Sequence, residues 1–199
     1  MITIIDYNAG NLASVKYALN RLGFEYEITN DKEKVKEAKK IIFPGVGHAK
    51  DAMDNLFKLD LVEILQNIKV PFLGICLGMQ IMFDMSEEGS VGCLGILPGK
   101  IKKFQNLDIS KNNKIPHMGW NNIEIVRESV LFKGIANNSY FYFVHSYYAS
   151  IDNYTLVKTN YINDFSVAFN YKNFYGVQFH PEKSGDIGEK ILENFVKEI

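Results

Sequence analysis

Cysteine is almost missing from this chain. Of its 199 residues two are cysteine, Cys76 and Cys93, too few for a disulfide framework. A reducing compartment is therefore the simpler assumption. An excess of one charge is missing too. Lys and Arg number 22 against 23 Asp and Glu, a net charge of −1, so no strong pull toward nucleic acid or an anionic membrane is expected. Nor is there a basic cluster. The densest group, Lys100, Lys102 and Lys103 around Ile101, reads as a strand with outward lysines. No apolar run approaches the roughly 20 residues of a membrane helix. The opening MITIIDYN has neither the basic region nor the small-residue cleavage site of a signal peptide. With no repeat, low-complexity tract or linker either, the expectation is one cytoplasmic domain spanning residues 1–199.

What is present is a rhythm of strand and helix patterns. Met1–Ile5 is an apolar run suited to a buried parallel strand. Asn8, Gly10 and Asn11 offer a turn and a cap. Leu12, Val15, Leu19 and Leu22 then recur at helical spacing until Gly23 stops them. Phe24–Thr29, Ile41–Phe43 and Val70–Ile75 read as further strands, and Asn30 and Asp31 cap a short charged helix. Ala49–Gln66 reads as helical with a break near Leu59 and Asp60, and Leu77–Phe83 as the opening of another helix. The second half reads as strands at Gly95–Phe104, Asn121–Val126, Tyr140–Ser150, Thr155–Asn160, Phe165–Tyr171 and Phe174–Phe179, then a helix carrying Ile187, Ile191, Leu192, Phe195 and Val196 on one face. The expected class is α/β: a mixed, mainly parallel central sheet flanked by helices, with an antiparallel extension. Ligands on such sheets bind beyond the carboxyl ends of the strands, which directs attention to Asp6–Asn11, Pro44–Lys50 and Cys76–Gly78.

The strongest chemical signal is VPFLGICLGMQ, residues 70–80. An apolar strand runs into Gly74-Ile75-Cys76-Leu77-Gly78 and a helical pattern follows, the logic of a nucleophile elbow with cysteine in place of serine. The nucleophile sits on a sharp turn, and the residues two positions to either side must approach closely, which glycine permits. The helix beginning at Leu77 points its N-terminus at Cys76, favouring thiolate, and the Leu77 N–H is a natural oxyanion donor. A buried structural cysteine is the alternative reading.

A second signal is VQFHPEKS, residues 177–184. Pro181 biases His180 toward extended geometry, and residues two apart in an extended chain share a face. His180 and Glu182 can therefore stand side by side as base and orienter. A third is Pro44-Gly45-Val46-Gly47, a glycine-rich loop after a strand whose N–H groups can supply a second oxyanion donor. It is not a dinucleotide fingerprint, since Lys50 stands where the third glycine would be, and it is not a P-loop. His48, His117 and His145 show no zinc-type spacing and read as loop or interface residues, and Cys93, with no strand before it, reads as structural. No metal is expected.

Together these residues resemble the class I glutamine amidotransferases, which carry a Gly-x-Cys-x-Gly-x-Gln elbow and a distant His-Pro-Glu. Pro44-Gly45-Val46-Gly47-His48, Pro116-His117-Met118-Gly119-Trp120-Asn121, Tyr142-Phe143-Val144-His145-Ser146-Tyr147 and His180-Pro181-Glu182-Lys183-Ser184 narrow the likeness to the branch serving as glutaminase subunits of imidazole glycerol phosphate synthases. The resemblance runs from Ile4 to the final helix and implies a flavodoxin-like sheet.

It also implies roles. Cys76, His180 and Glu182 form a triad that hydrolyses glutamine through a glutamyl thioester. Gln80, Glu88, Ser146 and Tyr147 hold the amino-acid end of glutamine, and Gly47 and Leu77 donate to the oxyanion. Ammonia passes, without a cofactor, to a (βα)8-barrel cyclase in a heterodimer, with the Pro116–Asn121 loop, through His117, Met118, Trp120 and Asn121, and Lys183 as partner contacts. A core position is the alternative for Trp120. A paralogue feeding a surface-sugar pathway and a non-catalytic structural partner remain open alternatives.

Overall fold

A computed structural model of the chain describes residues 1–8, 11–106 and 114–199. The first half builds a parallel sheet. Its elements are β1 (Ile2–Ile5), α1 (Leu12–Arg21), β2 (Tyr26–Thr29), α2 (Lys32–Glu37), β3 (Ile41–Gly45), α3 (Ala49–Lys58), α4 (Val62–Asn67), β4 (Phe72–Cys76) and the short α5 (Leu77–Gln80). The second half adds β5 (Phe83–Ser86), β6 (Val91–Gly92), β7 (Leu97–Lys103), β8 (His117–Asn122), β9 (Glu124–Ile125), β10 (Tyr140–His145), β11 (Tyr147–Ala149), β12 (Thr155–Asn160), β13 (Asp164–Tyr171), β14 (Phe174–Val177) and α6 (Gly185–Glu198).

The main sheet runs β2-β1-β3-β4-β14-β13-β11-β7-β5-β6, with β12 and β9 attached through β13. From β2 to β14 every pairing is parallel. From β14 through β13 and β11 to β7 the pairings are antiparallel. Strands β8 and β10 pair antiparallel in a sheet of their own.

The central strands read as apolar on both faces because both faces are covered. Alternate residues go to opposite cores: Ile4, Ile42, Leu73 and Ile75 pack with Val15 and Leu19 of α1 and Ile191, Leu192 and Phe195 of α6. Ile5, Phe43 and Phe72 pack with Met53 and Leu56 of α3 and Leu65 of α4. Capping sets the helix starts. Asn11 accepts from the Ser14 N–H, and Asp31 accepts from the Glu33 and Lys34 N–H groups; such caps contribute about 1 kcal/mol each. Gly23, at φ +71°, ends α1 in the left-handed conformation. Gly10 of the expected turn lies outside the described residues.

Four expectations need correction. The helix after Cys76 ends at Gln80, because Phe83 is drawn into pairing with Leu97 and opens β5. The Pro116–Asn121 stretch, expected as a loop, is largely β8, paired from His117 onward with β10. Tyr140–Ser150 is two strands, because the chain leaves the small sheet at His145 and joins β7 from Tyr147. Cys93 does follow a strand, the two-residue β6. Among the described residues no helix is long and apolar enough to cross a membrane.

Candidate active site

The register of the parallel strands assembles the site. Gly45 at the end of β3 lies beside Cys76, and Val177 of β14 lies beside Ile75. The segments leaving β3, β4 and β14 therefore emerge side by side at the carboxyl edge of the sheet, bringing Val46–Gly47, Cys76–Leu77 and Gln178–Glu182 together.

Cys76 takes φ +54°, ψ −111°, a conformation that L-residues avoid at a cost of about 1–3 kcal/mol. Packing enforces it. A Cβ on Gly78 would collide with the Phe43 carbonyl, and one on Gly74 would stand 2.7 Å from the Gly78 carbonyl oxygen. The elbow thus closes only with glycine at both positions. Since α5 is a single turn, its influence on Cys76 rests on the free N–H groups of that turn rather than on a long dipole. Leu77, its first residue, presents one of them.

His180 Nδ1 lies 2.8 Å from Glu182 Oε1, with side-chain exposures of 1% and 3%. Ser184 fastens this turn. Its hydroxyl donates to the His180 carbonyl at 2.6 Å and accepts from the Tyr142 N–H at 3.0 Å, while the His180 N–H donates to the Tyr142 carbonyl. His180 Nε2 is buried and lacks a partner in hydrogen-bond geometry among the described residues, yet the imidazole feels Cys76 strongly. Burial alone pushes its pKa down; the negative charge of Cys76 first, then Glu182, overcome this and raise it to about 10. Such an arrangement can cycle a proton between a sulfur nucleophile and a leaving group.

A cavity of about 300 Å³ opens in front of Cys76. Gly47, Leu77, Gln80, Glu88, Ser146, Tyr147 and His180, all singled out from the sequence, line it with Cys76. Val46, Pro116, Val144 and His145 line it too. Gln80 commits its amide nitrogen to the Tyr147 carbonyl (2.9 Å) and Gln178 Oε1 (2.8 Å). That leaves its carbonyl oxygen, an acceptor, for a ligand. Glu88 accepts the Ala49 N–H through Oε2, and burial raises its pKa. Gly47 stands at φ +100° in the loop after β3.

Two residues beside the nucleophile are not expected in the site from the sequence: Gln178, and His145, which reads there as a loop or interface residue. Gln178 is fully buried and points Nε2 at the Cys76 sulfur, 3.7 Å away. His145 is buried in the pocket wall, bonded to His117. His117, expected in a loop or at an interface, is 3% exposed; on β8 it turns inward while Met118 and Trp120 turn out, 63% and 55% exposed. Trp120 is thus no core residue; its ring meets Tyr142 edge-on. Asn121 is half-buried and bonded to the Asn160 carbonyl, whereas Lys183 is exposed. His48 caps α3, accepting from the Lys50 N–H. Among the described residues no group of three or more His, Cys, Asp or Glu is gathered to hold a metal.

Residues 3–199 match the glutamine amidotransferase class-I family. The chain belongs to that family. Proteins similar to it include the imidazole glycerol phosphate synthase subunit HisH of Methanocaldococcus jannaschii, 50% identical over 200 residues and 99% of each chain, and that of Bacteroides fragilis (strain YCH46), 49% identical over 98% of each. The HisH subunit of Haemophilus influenzae (strain Rd) is 48% identical over 100% of this chain and 98% of its own. Among solved structures, a glutamine amidotransferase shares the fold with a TM-score of 0.74 at 17% identity, covering 98% of this chain and 100% of that one. Another glutamine amidotransferase, from Thermotoga maritima, does so with a TM-score of 0.61 at 17% identity, covering 99% and 82%.

Proposed function

We propose that this amidotransferase is the glutaminase subunit of an imidazole glycerol phosphate synthase, hydrolysing glutamine and delivering ammonia to a (βα)8-barrel cyclase in a heterodimer. The observation that carries the reading is the strained Cys76 facing a pocket with His180 in its wall, the imidazole backed by Glu182. HisH relatives about half identical along the full chain support the choice of synthase.

The chemistry follows from the residues. The Cys76 thiolate attacks the side-chain amide carbon of glutamine, and the carbonyl oxygen becomes an oxyanion received by N–H groups of Leu77 and Gly47. The C–N bond breaks as protonated His180 gives its proton to the departing nitrogen, releasing ammonia and leaving a glutamyl thioester. Water attacks the thioester with neutral His180 taking its proton, and glutamate leaves as the thiolate returns. Glu182 fixes the imidazole tautomer and stabilises its charge. The Gln80 carbonyl oxygen and Glu88 carboxylate suit the α-ammonium of glutamine, and backbone groups at Ser146 and Tyr147 suit its carboxylate. Met118, Trp120 and Lys183 offer the partner an exposed contact.

The test is reconstitution with the cyclase and its formimino-aminoimidazole carboxamide ribotide substrate. Glutamate and imidazole glycerol phosphate should form in equal amounts, and the gene should restore growth of a histidine auxotroph lacking its own glutaminase. Glutaminase activity without complementation would point instead to a surface-sugar pathway.

A further inference from the structure

His117 and His145 stand directly opposite in the β8–β10 register, so their side chains lie on one face of the small sheet. Their rings sit among aromatics. His117 stacks on Tyr161 and Phe143 with centroids at 4.1 and 4.8 Å, and His145 lies 5.2 Å from Phe165. Yet every ring nitrogen of the pair has a polar neighbour. His145 Nδ1 lies 2.7 Å from the Tyr147 carbonyl oxygen, His145 Nε2 lies 3.0 Å from His117 Nδ1, and His117 Nε2 lies 3.4 Å from Asn121 Nδ2.

These contacts admit one proton arrangement. A carbonyl oxygen only accepts, so His145 Nδ1 carries a hydrogen; in the neutral ring Nε2 then accepts, which requires a hydrogen on His117 Nδ1. His117 Nε2 is left as acceptor, facing Asn121 Nδ2. The other end agrees independently. Asn121 Oδ1 accepts the Asn122 N–H at 2.9 Å and Asn121 Nδ2 donates to the Asn160 carbonyl at 2.9 Å, which fixes that amide with its nitrogen toward His117. A proton added to either ring would set two donors face to face. Burial acts in the same direction, lowering the His117 pKa to about 4 and that of His145 to about 3.

The chain ends on a functional atom. The Tyr147 carbonyl that receives the His145 hydrogen also receives one from Gln80 Nε2, at 2.9 Å, and Gln80 bonds onward to Gln178, whose amide faces Cys76. We infer that His117 and His145 are positioning residues: a one-way relay of neutral imidazoles that fixes the Tyr147 carbonyl, and through it Gln80, in the wall of the glutamine pocket. This rests on the glutaminase reading for its consequence but not for its geometry. Phenylalanine would fill the same space; what it could not do is donate to the carbonyl.

Two measurements test it. In the wild-type chain at neutral pH, ¹⁵N NMR should find His117 and His145 both protonated at Nδ1 and bare at Nε2, whereas a free imidazole favours the opposite tautomer. A hydrogen on Nε2 of His145 overturns the proposal whatever the variants do. In the reconstituted synthase, His145→Asn keeps an amide hydrogen near the position of Nδ1, while His145→Phe keeps the ring but no donor. His145→Phe should raise KM for glutamine roughly tenfold, the size expected for a lost hydrogen bond to a buried group, with kcat within about threefold and KM largely restored in His145→Asn. Equal KM values in the wild type and both variants overturn it. A wild-type complex that hydrolyses no glutamine would instead sink the glutaminase reading, with the tautomer spectrum still deciding the relay.

Discussion

His180 and Glu182 meet side by side across Pro181, with 2.8 Å between Nδ1 and Oε1 and almost no solvent on either. The contact assigns the Nδ1 hydrogen and turns Nε2 toward the sulfur side of the site. Glu182→Gln keeps an oxygen able to accept that hydrogen but removes the charge that stabilises the imidazolium, whereas His180→Ala removes the proton carrier itself. In a comparable triad, losing the orienting carboxylate left roughly 10²-fold more activity than losing the base. The same order is expected here in steady-state glutamine hydrolysis by the complex. Equal and complete loss in both variants would not fit an orienting role.

The two cysteines should behave differently. Cys76 faces the cavity, whereas burial pushes the Cys93 thiol up to about 12. At neutral pH Cys93 is therefore a thiol, and the thiolate is the reactive form. A diazo-ketone analogue of glutamine should label Cys76 alone, read by peptide mass spectrometry. Cys76→Ala should abolish hydrolysis and leave the unfolding midpoint close to wild type, since alanine still fits the buried position. Labelling confined to Cys93 would refute the assignment of the nucleophile.

The same electrostatics predict a titration. Burial opposes the charge on His180, and Cys76 is the larger of the two influences that overcome it. The folded pKa is raised above the unfolded value of about 6.5. Its stabilising contribution is therefore complete below pH ~6.5 and fades as pH rises through the folded value of about 10. Serine at position 76 removes the dominant charge and leaves burial opposed by Glu182 alone, so the midpoint should fall. NMR of the His180 ring in wild type and Cys76→Ser measures it; unchanged midpoints would show that the sulfur is not the cause.

Much of this site is legible in the sequence because its constraints are local. The elbow needs glycine two residues either side of the nucleophile, and the collisions that Gly74 and Gly78 avoid lie within one turn and the adjacent strand. The His180–Glu182 pair follows from an extended dipeptide with proline between. Pairings between distant segments are another matter. His117 and His145 lie 28 residues apart, and only the β8–β10 register sets them opposite. Gln178 follows β14, where both faces of the sheet are covered, so alternation does not reveal which side is wet. Strand β5 is hidden because Phe83–Ser86 continues a helical pattern and pairs with a strand it cannot announce. Asn11 as a cap and the break between α3 and α4 depend on neighbours in the chain, and the structure agrees with both readings.

The loop after β3 gives the last prediction. A glutaminase acting alone would release ammonia to solvent, so the isolated chain should be nearly inactive. Gly47 stands at φ +100° with no atom of the described residues within 4 Å of the place a Cβ would occupy, and glycine lets the adjoining peptide planes rotate at little steric cost. Without its partner, this loop would hold one N–H away from the oxyanion position; docking of the cyclase with its ribotide bound would turn it inward. One missing oxyanion donor costs about 10²–10³ in rate, enough to keep the free chain quiet. Glutamine hydrolysis should therefore rise stepwise from the isolated chain, to the chain with cyclase, to the chain with cyclase and ribotide. Because a methyl group at position 47 meets none of the described residues, Gly47→Ala should act through the backbone and blunt the stimulated rate while leaving the fold intact. Val46→Pro, which stiffens the loop one residue earlier, should do the same. An isolated chain already turning over at the fully stimulated rate would rule out gating by the partner, and full stimulation surviving in both variants would exclude this loop as the switch.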